Sequence, residues 1–508
     1  MKQNGENIKS KAETQAPASN DGIRRLFRHS AIYSLSTSVQ RLQGLILTPV
    51  YTSTKFIPQV SQYGNYGLIY TFIAFMNFVY LYGMDSAFLR YFFLGKSDRK
   101  TVFSTTFLVL INTALVTSAL IFLFARQIAT VVLFNPELTL LVRLASGILF
   151  FDTIGNLPFL ILRAEERAVT YTVFRMLRFS MELALNILFV VVLRKGVPGI
   201  MMANLVASVL NLLIMFPFTW RYLRLHINWP LLREMVAFGL PFLPNGIAFM
   251  MIEMQDRFLV TRFLGKEVMA FYHANYKFAS VLLLLIIGFR NAWQPFFLKI
   301  ARQPEARKTY SRILNDYLFV AASLTLFILF FVRDLLTLHW FGAFYLLGIH
   351  YWSGIPIIPW IVLSYLFFGI YVIFTPAFYI TKKSRYMIIF TGLGAVVNLV
   401  TNLLLLPRLG MWGAVSATVL AYATMAGTIV VVSQRIYPIP VDWRKLTGTL
   451  MLVGLAFVVY YIYRPAFSMR LILFAGMVIS LFYILLTHPD VPWRLGLRNN
   501  ISKRSDGQ

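Results

Sequence analysis

Cysteine is absent from this 508-residue chain, so disulfides, thiolate metal sites and cysteine nucleophiles are all excluded. Charge is sparse: 13% of residues are Asp, Glu, Lys or Arg, against about 25% in an ordinary soluble domain. Acids are the scarcer sign, 20 against 47 bases. The few histidines form no cluster: His29, His226, His273 and His488 fall at the ends of expected helices, and His339 and His350 have no acid nearby except Asp334. No glycine-rich phosphate loop is present, which argues against ATP hydrolysis by this chain. Apart from polar tails at the two ends, no stretch has room for a soluble catalytic domain.

What is present is apolar: 58% of residues are hydrophobic. Runs near the ~20 residues that cross a bilayer recur from end to end. They predict fourteen spans, at 29–49, 66–84, 102–124, 138–160, 170–193, 197–220, 236–260, 268–290, 313–333, 354–380, 385–406, 412–433, 446–463 and 468–487. The first run is long and lacks a small-residue cleavage site, so it reads as a span rather than a signal peptide. The fold class is therefore an all-α polytopic membrane protein.

The formal net charge of +27 raises a nucleic-acid reading, but the distribution of the bases opposes it. They gather in alternate loops: Arg24, Arg25 and Arg28; Arg90, Lys96, Arg99 and Lys100; Arg163 and Arg167; Arg221, Arg224 and Arg233; Arg290 to Arg312; Lys382, Lys383 and Arg385; Arg435, Arg444 and Lys445; and the C-terminal tail. This is the positive-inside pattern, and it places both termini in the cytoplasm. It predicts a multi-pass protein of a bacterial-type cytoplasmic membrane, with membrane lipids as neighbours and no nucleic acid as partner.

An internal repeat is visible. Gly196, Gly199, Ala203 and Ala207 recur as Gly410, Gly413, Ala417 and Ala421, at a constant offset of 214 residues. A weaker echo joins Ser86-Ala87 and Phe92-Phe93 to Asn291-Ala292 and Phe296-Phe297. Small residues four apart are also common wherever membrane helices pack closely. Read as a repeat, the offset gives two parallel six-helix lobes related by a pseudo-twofold axis along the membrane normal, plus two extra C-terminal helices. The expected division is a tail at 1–28, an N-lobe at 29–225, a C-lobe at 226–435, spans thirteen and fourteen at 436–488, and a tail at 489–508.

Ionisable groups inside the spans carry the functional argument, because each costs roughly 2.5–3.5 kcal/mol on insertion scales unless it faces protein or water. Span seven holds Glu253, Asp256 and Arg257, and Pro241 and Pro244 near its start predict a bent or broken helix. Span one carries Ser34, Ser38, Arg41, Thr48 and Thr52 on one face. Arg41 lies near mid-span with no acid in helical reach, which suggests a watery cavity and an anionic ligand. Span four adds Arg143, Asp152 and Asn156, and span eight adds Asn275 and Lys277. Span five carries Arg175, Arg178, Glu182 and Asn186, where Arg178 and Glu182 can pair one turn apart and simply glue helices together. Candidate cavity residues are thus Arg41, Arg90, Arg178, Arg257 and Lys277. For Arg257 the alternative is neutralisation by Glu253, and for Arg90 a cytoplasmic anchor.

Gly83-Met-Asp-Ser-Ala-Phe-Leu-Arg90, Gly239-Leu-Pro-Phe-Leu-Pro244, Asp256-Arg257-Phe258, Phe263-Leu264-Gly265, Tyr272 and Tyr276-Lys277 resemble the polysaccharide-biosynthesis flippases. These belong to the multidrug/oligosaccharidyl-lipid/polysaccharide exporter superfamily, and the likeness covers roughly residues 28–435. It implies two lobes around a cationic cavity that passes a polyprenyl-pyrophosphate-linked glycan across the membrane by alternating access. It also implies a glycan polymerase and glycosyltransferases as partners, and no cofactor beyond a coupling ion. Lipid II flippases of the superfamily hold sodium through positions matched here by Glu253, Asn398, Asn402, Thr418 and the Ala414 carbonyl. Span eleven offers two amides and no acid, so Na+ and H+, the latter through Glu253 or Asp256, both stay open as coupling ion. Other functions compatible with the residues are a cation antiporter of the toxin-extrusion type, a membrane glycan polymerase or ligase, and a scramblase or structural role. The aromatic connection Arg333–Ser353 reads as an interfacial belt.

Overall fold

The computed structural model describes residues 44–486, apart from 95, 96, 166, 302, 341–343, 382 and 384. Span one therefore lies outside the described residues except for its end, residues 44–49, where helical residues 44–46 lead into the short helix Thr48–Tyr51. Arg41 lies outside them too.

The first half contains α1 (Val60–Leu81), α2 (Met84–Leu94), α3 (Arg99–Leu123), α4 (Ala125–Val132), α5 (Thr139–Ala164), α6 (Ala168–Asn186) and α7 (Gly196–Trp220). The second contains α8 (Trp229–Gly239), α9 (Phe242–Leu264), α10 (Lys266–Ala279), α11 (Val281–Ile300), α12 (Ala306–Thr337), α13 (Ile358–Phe374), α14 (Pro376–Ile380), α15 (Arg385–Leu409) and α16 (Met411–Ile436). Helices α17 (Trp443–Tyr463) and α18 (Phe467–Leu486) complete the chain and pack against α12. The only strands among the described residues are His339–Trp340 and Phe344–Tyr345, a small antiparallel ribbon inside the aromatic connection.

Among the described residues, ten helices or joined helices are long and apolar enough to cross a bilayer, and two bent pairs bring the number to twelve. A further helix, α6 with its π-helical extension Ile187–Val192, is the predicted span five. Arg175, Arg178 and Glu182 keep it out of that set, since its side chains are too charged to count as lipid-soluble on composition alone. With span one outside the described residues, the count of fourteen is not reached here.

The repeat has structural counterparts. The two bent pairs are α1 with α2, at 42°, and α10 with α11, at 47°; they are the second span of each half. Gly196 and Gly410 have nearly the same φ, +58 and +59, and each stands at the start of a helix after a tight reversal. Ala203, Ala207, Ala417 and Ala421 are all fully buried. Helix α5 packs on α7 as α13 packs on α16. The molecule has two lobes.

Polarity is inverted relative to a soluble protein. Leu123, Val131, Leu213, Ile472 and Tyr483 are exposed on the outside, while Glu253, Asp256, Arg257, Asn398 and Asn402 are buried. That arrangement is stable only where hydrocarbon, not water, surrounds the bundle.

The lobes meet along α1. Gly64 lies against the Lys266 backbone, Gly67 against Met269 and His273, and Phe78 against Gly246. At the end of α1, Gly83 (φ +80) touches Gly239, and a Cβ on Gly239 would sit 2.8 Å from the Gly83 carbonyl oxygen. Both glycines stand at helix breaks: α1 stops for α2 at Tyr82-Gly83, and α8 stops for α9 at Leu240-Pro241. The break predicted from Pro241 is present.

Candidate functional site

Between the lobes lies a cavity of about 610 Å³. Phe78 of α1 closes one side, and α9, α10, α11, α13, α15 and α16 supply the rest. Its ionisable lining is Glu253, Arg257, His273, Lys277 and Arg290: three bases and a histidine around one acid.

Arg257 is buried without a carboxylate ion pair. Its Nη1 donates to the Glu253 backbone oxygen at 3.2 Å, its guanidinium lies 4.9 Å from the Tyr276 ring centre, and Nε has no partner. The Glu253 side chain, the alternative partner, makes no ion pair with it within 4 Å, and its two oxygens are engaged by tyrosine hydroxyls. Glu253 accepts from Tyr365 at 3.1 Å through one oxygen and from Tyr422 through the other. Asp256, one residue before Arg257, accepts from Tyr272. The two acids of α9 are thus held by tyrosine hydroxyls, which leaves the guanidinium with a strong, incompletely answered donor set facing the cavity.

Lys277 reaches from α10 into a tyrosine cage. Its Nζ donates to the Tyr66 hydroxyl at 3.2 Å and lies 4.6 Å from that ring, 5.5 Å from Tyr63 and 5.6 Å from Tyr51. His273, one turn earlier, packs on Tyr63 and Tyr66, with neither ring nitrogen hydrogen-bonded. It sits in mid-helix at the lobe interface, not at a helix end as the sequence reading placed it.

The remaining candidates fall elsewhere. Arg90 is exposed on α2 and stacks 4.5 Å from Phe238 of α8, outside the cavity. Arg178 pairs with Asp152 at 2.6 Å across helices and lines a different cavity. Asn398 accepts from Gln255 at 2.6 Å and from Asn402 at 3.1 Å, while Thr418 donates to Ala414 on its own helix. The α9 partner of the asparagines is therefore Gln255; Glu253, two residues away, faces the tyrosines.

Of the two ions left open, sodium would draw on residues that divide into Glu253 with its tyrosines and the Asn398–Asn402 pair, where Asn402 Oδ1 is buried with no partner among the described residues. Both Glu253 oxygens and Asn398 Oδ1 already accept protein hydrogen bonds. Among the described residues no three His, Asp or Glu side chains converge as metal ligands.

Sequence reasoning counted Arg290 as a loop base, whereas it lines the cavity, and it missed Tyr365, Tyr422 and Gln255. Span eight was ended at residue 290, whereas α11 continues to Ile300 and puts Arg290 in mid-helix. The apolar Trp293, Phe296 and Phe297 beyond it were the available signal.

Residues 57–347 match the family model described as polysaccharide biosynthesis protein. This is more than half of the chain. The chain belongs to that family. No individual curated protein matches it in sequence. Among solved structures, the lipid II flippase MurJ in an inward closed conformation aligns with TM-score 0.71 at 14% identity, over 90% of this chain and 99% of that one. An inward-facing multidrug resistance MATE family transporter of the MOP superfamily aligns with TM-score 0.64 at 16% identity, over 80% and 97%. A MOP superfamily transporter from Pyrococcus furiosus aligns with TM-score 0.60 at 14% identity, over 81% and 94%. The polysaccharide biosynthesis protein thus carries the MOP fold. Its fold is shared with the solved structures of a lipid II flippase and a multidrug transporter.

Proposed function

We propose that this protein is a flippase that moves a polyprenyl-pyrophosphate-linked oligosaccharide, a precursor of a cell-surface polysaccharide, across the cytoplasmic membrane by alternating access. The observation that carries the reading is the charge of the cavity between the lobes: Arg257, Lys277 and Arg290 against Glu253 alone. A diphosphate cannot enter hydrocarbon without losing its hydration, a penalty of tens of kcal/mol for an isolated ion in a low-dielectric medium. The polyprenyl tail needs no such help. A protein that shields the head group and offers guanidiniums to phosphate oxygens removes the costly part of the crossing.

In this reading both termini face the cytoplasm, as the loop bases indicate. Glycosyltransferases supply the substrate there, and a glycan polymerase consumes it on the other side. Glu253 is the carboxylate through which an ion gradient is coupled. The arrangement of its oxygens, engaged by two tyrosine hydroxyls and apart from the asparagines, favours H+ over Na+. A cation antiporter of the toxin-extrusion type would need a wall with an excess of acid, and this wall has the opposite balance.

The test is flipping of a fluorescent polyprenyl-diphosphate-linked N-acetylhexosamine in proteoliposomes. The protein accelerates it, and Arg257→Ala with Arg290→Ala removes most of the acceleration while the variant still reconstitutes. Wild-type rates in that double variant would overturn the reading.

A further inference from the structure

The first half contains a second cavity, of about 400 Å³, which the route above leaves unused. The volume is in the ~300–1,000 Å³ range of small-molecule sites. Beside Leu81 and Thr153, its walls carry Asn77 of α1, Asp152 and Asn156 of α5, and Arg175, Arg178 and Glu182 of α6. These six are polar, in segments of membrane length, where such groups persist only if they face water, partners or a ligand. The balance of charge differs from the cavity between the lobes. Here, among the described residues, two acids offset two guanidiniums, so that part of the wall is formally neutral.

We propose that this cavity is a sugar subsite that takes an uncharged sugar residue of the glycan, an inference that rests on the flippase reading. Neighbouring hydroxyls of a pyranose ring each donate and accept, and planar amide, carboxylate and guanidinium groups can address two of them at once. A formally neutral, donor- and acceptor-rich wall suits such a ligand and offers a diphosphate no net attraction. The groups are held ready. Asp152 accepts from Arg178 and from Ser208, each at 2.6 Å, which fixes the carboxylate. Arg175 donates to Asn156 at 3.1 Å and lies 3.9 Å from the Phe159 ring centre, and its Nε is buried with no partner among the described residues. The buried hydroxyl of Thr172, one turn from Arg175, also lacks one.

Position joins the two sites. Helix α1 is their common wall: Asn77 and Leu81 line the neutral cavity, while Phe78, adjacent to Asn77, lines the cationic one. A head group whose diphosphate sits beside Arg257 and whose sugars reach past α1 uses both. The lobes then divide the labour, the second reading charge and the first reading hydroxyls.

The test uses the full chain in nanodiscs and two probes: polyprenyl diphosphate, and the same lipid carrying one N-acetylhexosamine. Wild type binds the glycosylated lipid more tightly. Asn77→Ala with Asn156→Ala costs about tenfold for the glycosylated probe, as two lost neutral hydrogen bonds would, and leaves affinity for the bare lipid unchanged. Glu182→Gln, which preserves shape, lowers affinity in the same selective way and serves as the reading if the double variant does not fold. Equal wild-type affinity for both probes, or equal losses for both probes in Glu182→Gln, would overturn the sugar subsite and leave the polar cluster a packing device. Failure of the flippase reading looks different: the bare lipid does not bind, or Arg257→Ala with Arg290→Ala binds it as wild type does.

Discussion

Lys277 of the second lobe donates a hydrogen bond to the Tyr66 hydroxyl of the first, at 3.2 Å, with its Nζ 4.6 Å from the same ring. No carboxylate pairs with it in this position. The contact joins the two lobes, and under the proposed alternating access it would have to open. Lys277→Met removes both the hydrogen bond and the attraction to the rings, worth about 1 kcal/mol for such contacts. A single cysteine at Asn65, buried on α1, is then expected to react with a maleimide roughly fivefold faster than in the parent. Equal rates would show that the cage does not hold the lobes together.

The absence of cysteine makes a second experiment clean. Phe78 and Gly246 face each other across the lobes so closely that a Cβ on Gly246 would strike the ring. Replacing both with cysteine removes the ring and puts two thiols within bonding reach. Oxidation of the Phe78→Cys, Gly246→Cys variant is expected to give an intramolecular disulfide and to stop flipping, with recovery on reduction. Full activity in the oxidised protein would mean that α1 and α9 stay together throughout transport.

Glu253 is predicted to separate binding from coupling. In Glu253→Gln one carboxylate oxygen becomes an amide donor, and the Tyr422 or Tyr365 hydroxyl can turn to accept from it, so stability changes by about 1 kcal/mol or less. Glu253→Leu instead leaves two buried hydroxyls unanswered, at about 1–3 kcal/mol each. The Gln variant should bind polyprenyl diphosphate normally yet lose acceleration of flipping by an imposed ion gradient. The measurement is proteoliposome flipping with and without H+ and Na+ gradients. A Gln variant that still responds to either gradient removes Glu253 from coupling.

Much of the architecture was legible because its signals are local. Apolar runs set the spans, Pro241 broke the helix where expected, and the paired glycines at 196 and 410 marked the repeat. The site was legible only in part. Arg257 and Lys277 stood out because a base within an apolar run is conspicuous by itself. Partnerships across helices did not: Arg178 looks toward Glu182 along the chain, but its ion pair is with Asp152, twenty-six residues away on another helix. Tyr365 and Tyr422 read as ordinary aromatic content, and only the packing of α13 and α16 against α9 turns them toward Glu253.

Helix α6 has a consequence for biogenesis. A segment bearing Arg175, Arg178 and Glu182 is a poor candidate to enter the bilayer alone, since its charges together cost several kcal/mol. Asp152 and Asn156, on the preceding α5, are what make it lipid-compatible. The nascent chain must therefore deliver α5 and α6 as a unit, and Asp152→Ala should leave α6 stalled at the interface during synthesis, inverting the topology of every segment that follows.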